Sequence, residues 1–289
     1  GGERSELVHH RITLLSFGSD MVPTMDATGL ETTALERLSP SRASDFKTCP
    51  QLFKFRSIDK LPEPVTVHQA RGTTAHLALQ RLFDRDSHER TPETLYDLFR
   101  QAWTEVRSDE EYAGLFESVD AEREWGLESL TLLANYFTVE DPASVEPVDR
   151  ELDMIEDLDG IVIRGILDRI DRGTDGSLII TDYKTGKAPP ERYAVPAFFA
   201  LKIYALLIRR RTGETPAELR LMYLNGPTMY RLAVDDGQLD AMDKQLRALW
   251  TAIERAMSEN RFPPRPGRLC DWCSFQAQCP AWEDVAAAS

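Results

Sequence analysis

The sequence predicts an α/β protein: a mixed sheet forming the core, with a helical lobe on its N-terminal side. Two observations predict it. From Ser41 to Thr138 apolar residues recur at helical spacing, and from Val145 onward the period switches to strand-like alternation, with helices returning between the later strands.

Each element has its own signal. Ser39-Pro40-Ser41 opens the first periodic stretch and predicts a helix with a serine cap. A second helix is expected around Arg71–Arg85, where Ala75, Ala78, Leu79 and Leu82 share the helical period. Further helices fit Pro92–Val106 and Ala121–Phe137. Val145–Ile155 is strand-like, Asp157-Leu158-Asp159-Gly160 is a turn, and Ile161–Ile170 alternates. Gly173-Thr174-Asp175-Gly176 makes a second turn into Leu178–Tyr183, short and apolar as central strands are. A helix follows at about Pro196–Arg211, then strands at Leu219–Leu224 and Met229–Val234, then a helix around Gln238–Met257. Residues 1–38 are expected to be a partly disordered leader and 39–289 one domain. That domain comprises a helical lobe (about 39–140), an α/β core (about 141–260) and a segment, 261–282, whose cysteines join Cys49.

A chain of 289 residues suffices for one large domain or a domain with an inserted lobe. No apolar run approaches the ~20 residues that span a bilayer, and Gly1–Asp20 lacks a signal-peptide core, so a cytoplasmic location is expected. The net charge of −14 disfavours a general polyanion binder. Arginines nevertheless gather at Arg209–Arg211 and at Arg261, Arg265 and Arg268, and a locally basic groove can serve an acidic nucleic-acid enzyme. No G-x-x-x-x-G-K-[ST] loop is present, so any motor must come from a separate chain.

Chemistry concentrates on the second and third strands. Asp182 and Lys184 are two apart on one strand and share a face. Asp168 lies one hairpin upstream, so the three are expected to converge at a sheet edge. Two carboxylates supply hard oxygen ligands for Mg²⁺ or Mn²⁺. Such an ion activates water and offsets charge developing at phosphorus, and a neighbouring lysine orients water or stabilises that charge. An isolated Asp-x-Lys is usually a solvated pair at a strand end; Asp168 upstream and the apolar Leu178–Ile180 leading into the pair tilt the odds toward phosphodiester hydrolysis.

Cys49, Cys270, Cys273 and Cys279 are the only cysteines, the last three as C-x2-C-x5-C. Disulfides are not expected in a chain without an export signal. The spacing suits a metal site, zinc or a [4Fe–4S] cluster, and does not choose between them.

Taken together, Gly165-Ile166-Leu167-Asp168-Arg169-Ile170-Asp171 followed by Thr181-Asp182-Tyr183-Lys184-Thr185-Gly186-Lys187 resembles the motif pair of RecB-like nucleases in the PD-(D/E)xK superfamily. Ser39 to Pro50 resembles that family's opening, and Gly72-Thr73-Thr74-Ala75-His76 its upstream histidine motif. The resemblance spans about Ser39 to Trp282. It implies a restriction-endonuclease-like core with an iron–sulfur-binding C-terminal segment, and a deoxyribonuclease: an exonuclease on single-stranded DNA or DNA ends in repair or recombination, served by a separate helicase. Asp168 and Asp182 would be the main metal ligands, joined by His76, the Tyr183 carbonyl and, on the first strand, Glu151. Lys184 would be the catalytic lysine. Tyr204 matches the tyrosine of a Q-x-x-x-Y motif, but Ala200 replaces the glutamine. The four cysteines match the family's [4Fe–4S] ligands, with zinc as the alternative. The competing class is a non-catalytic, DNA-binding subunit of a larger repair complex, which loss of the catalytic carboxylates would have favoured.

Overall fold

In a computed structural model, residues 21–25, 31–35 and 37–282 are described. Most of the expected leader, including Gly1–Asp20, lies outside the described residues. Two short strands within it were not foreseen: β1 (Met21–Met25) pairs antiparallel with β2 (Glu31–Leu35). Residues 38–282 form a compact unit of their own.

That unit opens with α1 (Pro40–Thr48), whose Ser39 cap accepts a hydrogen bond from the Arg42 amide, and α2 (Pro50–Phe53). The lobe continues with α3 (Val67–Leu82), α4 (Pro92–Val106), α5 (Val119–Ala134) and α6 (Tyr136–Val139). Thr66 and Gln69 cap α3 reciprocally, and Thr91 with Pro92 starts α4 at the expected residue. Ala75, Leu79 and Leu82 of α3 bury against Leu95, Phe99, Trp125 and Leu133.

The sheet follows in the order β3 (Pro147–Asp157), β4 (Val162–Arg172), β5 (Leu178–Lys187), β6 (Glu218–Asn225), β7 (Thr228–Ala233). It is mixed: β5 and β6 are parallel and the other neighbours antiparallel. The parallel pair requires a crossover, supplied by α7 (Ala194–Ala197) and α8 (Phe199–Thr212); α9 (Asp236–Ser258) follows β7. Tyr183, Met222 and Leu224 bury into the helical lobe. By strand alternation Asp182, Leu221 and Tyr223 face the other way, toward α8. The fold is therefore the expected restriction-endonuclease-like α/β core with its helical lobe.

One feature of the sheet decides where chemistry can occur. The β4–β5 ladder runs from Arg172 opposite Leu178 only to Arg169 opposite Thr181, and beyond that rung the strands part. Asp168 and Asp182 stand at this fork. They lie in the interior of the five-stranded sheet, not at a sheet edge as the hairpin alone suggested, because β6 and β7 extend the sheet past β5.

Candidate functional site

At the fork, the Asp168 carboxylate takes the place of the missing rung. Its Oδ2 accepts from the Tyr183 amide at 2.8 Å. His76, on α3, bonds the Tyr183 carbonyl through Nε2 at 3.0 Å and sets Nδ1 3.4 Å from Asp168 Oδ1. Glu151, across β3, lies 3.9 Å from His76 Nδ1. It adopts a left-handed backbone, φ +47°, which a non-glycine residue tolerates only where surroundings enforce it, and such conformations gather at functional sites. Lys184 Nζ sits 2.6 Å from Asp182 Oδ2. The structure thus brings together His76, Glu151, Asp168, Asp182 and Lys184. The Tyr183 carbonyl is beside them, engaged by His76 but with a second lone pair left over.

Electrostatics follow from burying three carboxylates in one place. Burial alone would lower the His76 pKa, but Asp168, with Glu151 and Asp182 behind it, overrides this and pushes it up to about 9. Glu151 rises to about 7 through burial and the Asp168 charge, and Asp182 to about 6 for the same reasons despite Lys184. Asp168 moves the opposite way: burial would raise it, but His76 and the Tyr183 amide hold it below the usual carboxylate range. Lys184 is raised because Asp182 and Asp168 outweigh burial, so it stays an ammonium at neutral pH.

Two observations test whether this set suits a divalent ion. His76, Glu151 and Asp168 each bring a ligand atom to within 4.8 Å of the others. Asp182 Oδ2 is a buried carboxylate oxygen beside the Lys184 ammonium, 2.6 Å away. Hard carboxylate oxygens with one imidazole match the chemistry of Mg²⁺ or Mn²⁺.

A profile of the PD-(D/E)XK nuclease superfamily matches residues 37–280. The chain belongs to the PD-(D/E)XK nuclease superfamily. Nucleases of this superfamily use divalent metals, in keeping with the donor set at the fork. Among solved structures, a candidate exonuclease from Eubacterium rectale superposes with a TM-score of 0.51, at 14% identity over 82% of this chain and 87% of that one, a likeness of fold. The protein SSO0001 aligns at 16% identity over 73% of this chain and 94% of that one, with a TM-score of 0.36 too low to carry an argument. No curated protein matches significantly.

Around the PD-(D/E)XK centre the structure places one residue that the resemblance singled out, Tyr204, and adds one that sequence reasoning missed, Tyr223. Tyr204, on α8, lies over β4, where a side chain at Gly165 would collide with its ring. A glycine inside a strand marks such a close approach. Burial, then Asp182 and Asp168, raise the Tyr204 phenol, so it remains a neutral donor. One turn earlier Ala200 presents only a methyl group. Tyr223, opposite Lys184 on β6, faces the lysine, and no sequence signal marked it.

Arg209–Arg211 are committed elsewhere: Arg209 pairs with Asp240 at 2.9 Å, Arg210 with Asp159 at 3.0 Å and Arg211 with Glu156. Their ion pairs fit a solvated helix end.

The four cysteines are free thiols that line one cavity of about 420 Å³ between α1–α2 and the C-terminal segment. The Arg265 amide donates to Cys49 Sγ at 3.4 Å and the Gly267 amide to Cys270 Sγ at 3.3 Å. Among the described residues no three sulfurs lie mutually within 4.8 Å, whereas zinc with Zn–S near 2.3 Å holds its sulfurs about 3.8 Å apart. The cysteines converge on one cavity but are not clustered at metal-ligand distance.

Proposed function

We propose that this protein is a metal-dependent deoxyribonuclease of the RecB-like kind, acting as an exonuclease on single-stranded DNA or DNA ends in repair or recombination. The observation that carries it is the meeting of His76, Glu151, Asp168, Asp182 and Lys184 at the β4–β5 fork, in a chain of the PD-(D/E)XK superfamily. His76, Glu151, Asp168 and Asp182 would hold Mg²⁺ or Mn²⁺, with the Tyr183 carbonyl as a further oxygen. When bound, such an ion supplies Lewis-acid stabilisation of charge at the phosphate and lowers the pKa of the attacking water. Lys184 holds a positive charge beside the scissile phosphate, and Tyr204 offers a neutral donor from α8. Cys49, Cys270, Cys273 and Cys279 would bind a [4Fe–4S] cluster, with zinc as the alternative; the one cavity that all four line supports a shared metal group.

Residues 39–282 then work as one domain, with a helical lobe, a catalytic core and a cysteine segment. Among the described residues no helix is long and apolar enough to cross a membrane, and the proposed setting is the cytoplasm, with unwinding supplied by a separate helicase. Incubating the purified protein with end-labelled single- and double-stranded DNA tests the proposal. Mononucleotides or short oligonucleotides should appear from single strands or ends only with Mn²⁺ or Mg²⁺. Intact substrate under all metal conditions would sink it.

Metal binding at this centre should be steeply pH-dependent. Below their raised pKa values of about 9 and about 7, His76 and Glu151 carry protons that an ion must displace. Apparent Mg²⁺ or Mn²⁺ affinity should therefore climb as pH rises from about 6 to about 9. Titration calorimetry at neutral pH, in buffers of different ionisation heat, should show net proton release. Affinity flat across that range, without proton release, would contradict the assigned ligands.

A further inference from the structure

Behind the fork, on the face turned toward the helical lobe, lies a fully buried arginine for which the proposed chemistry has no use. Arg169 is 0% exposed. Its guanidinium forks onto Glu140, with Nη1 and Nη2 donating at 2.7 and 2.8 Å, and Nη1 also donates to the Tyr183 hydroxyl at 2.6 Å. Nε lies 3.0 Å from Asp171 Oδ2, and the Tyr136 hydroxyl donates to Glu140. The cation also stacks near the Phe83 and Tyr183 rings. Arg169 thereby ties the end of the helical lobe, at Glu140, to residue 183 of β5.

Residue 183 is the one the candidate centre hangs on. Its amide holds Asp168 and its carbonyl holds His76. It also lies two residues past Thr181, the last β4–β5 rung, so no ladder bond fixes it to β4. Arg169 grips its side chain from behind at the place where the backbone has let go.

We propose that Arg169 is a positioning residue for the metal centre, fixing Tyr183 so that its backbone amide and carbonyl set Asp168 and His76 in ligating geometry. This rests on the assignment of Asp168 and His76 as ligands. Partners that orient ligands in this way typically matter 10–100-fold in metal affinity or activity.

The test is Mn²⁺ affinity, by calorimetry or by electron paramagnetic resonance of free Mn²⁺, set beside the melting temperature. Arg169→Met strands two buried carboxylates and threatens folding, so the decisive variant is Tyr183→Phe, which removes only the hydroxyl and keeps the ring. Tyr183→Phe should stay folded at the assay temperature yet bind Mn²⁺ about 10-fold more weakly. Glu140→Gln, which loosens the guanidinium, should shift affinity in the same direction. Unchanged Mn²⁺ affinity in folded Tyr183→Phe, whatever its melting temperature, would overturn the proposal and leave Arg169 merely structural. Asp168→Asn separates the two levels. Its loss of Mn²⁺ binding alongside an unaffected Tyr183→Phe refutes the positioning role alone, whereas wild-type binding by Asp168→Asn brings down the ligand assignment and the positioning role with it.

Discussion

Asp182→Asn should yield a folded protein whose metal-dependent DNA cleavage is lower by about 10³-fold or more, the equivalent of ~4 kcal/mol of transition-state stabilisation. Asp182 is 8% exposed, and its Oδ2 lies 2.6 Å from the Lys184 ammonium. Burial and Asp168 raise its pKa to about 6, so the folded protein holds this proton more tightly than the unfolded chain. An acid with a raised folded pKa costs stability as pH climbs from about 4 through about 6, so at neutral pH without metal its removal should leave the melting temperature unchanged or higher. Asp168 differs, because its carboxylate also accepts from the Tyr183 amide. Asp168→Ala would leave that buried amide unpaired, at about 1–3 kcal/mol, whereas Asp168→Asn keeps an acceptor and isolates the loss of ligand charge. Lys184→Ala should also abolish cleavage but keep or strengthen Mn²⁺ binding, since it removes a cation 2.6 Å from a ligand oxygen. Substantial cleavage by both purified aspartate variants would refute the site; collapse of metal affinity in Lys184→Ala would refute the lysine's role.

Local order was legible where the signal is local. Caps and prolines placed the start of α4 at Pro92 and that of α1 beside Ser39, and the alternation over Ile161–Ile170 became β4, two residues longer at its end. Asp168, Asp182 and Lys184 could be grouped because a hairpin fixes which residues of two strands are near each other. That β4 and β5 fork at Asp168 could not be read, because a ladder's end depends on what competes for each amide, here a carboxylate. The placement at a sheet edge failed for a related reason: strand order is tertiary. Glu151 carried little sequence signal because its left-handed backbone is imposed by the site and not by the residue type. The Arg209–Arg211 run shows the limit of charge patterning, since its acidic partners come from the end of β3, the β3–β4 turn and α9. The Arg169 network hid within a motif whose aspartates drew the notice.

Cys273→Ala should do more damage to the fold than any active-site variant. Residues 261–282 carry little regular structure: short 3₁₀ pieces at Arg268–Trp272 and Gln276–Gln278 and a helical start at 280–282, with Leu269 and Trp272 exposed at 67% and 77%. Phe262 and Phe275 are the segment's buried anchors, Phe275 against Phe55 with ring centroids 5.3 Å apart. Ligation through Cys49 and the three late cysteines would add what packing does not. Cross-linking Cys49 to Cys270 closes a loop of 220 residues, which on chain-entropy grounds disfavours the unfolded state by about 5 kcal/mol. Thiolate binding free energy adds directly to the folded state. Anaerobically purified protein should accordingly be brown and hold about four irons per chain. Cys273→Ala should bleach it and expose it to limited proteolysis, while Asp182→Asn keeps its colour and its resistance. A colourless, stable, active protein holding one zinc would show the ligands to be right and the cofactor wrong. Full stability in Cys273→Ala with no metal of any kind would mean that Phe262 and Phe275 hold the segment by packing alone.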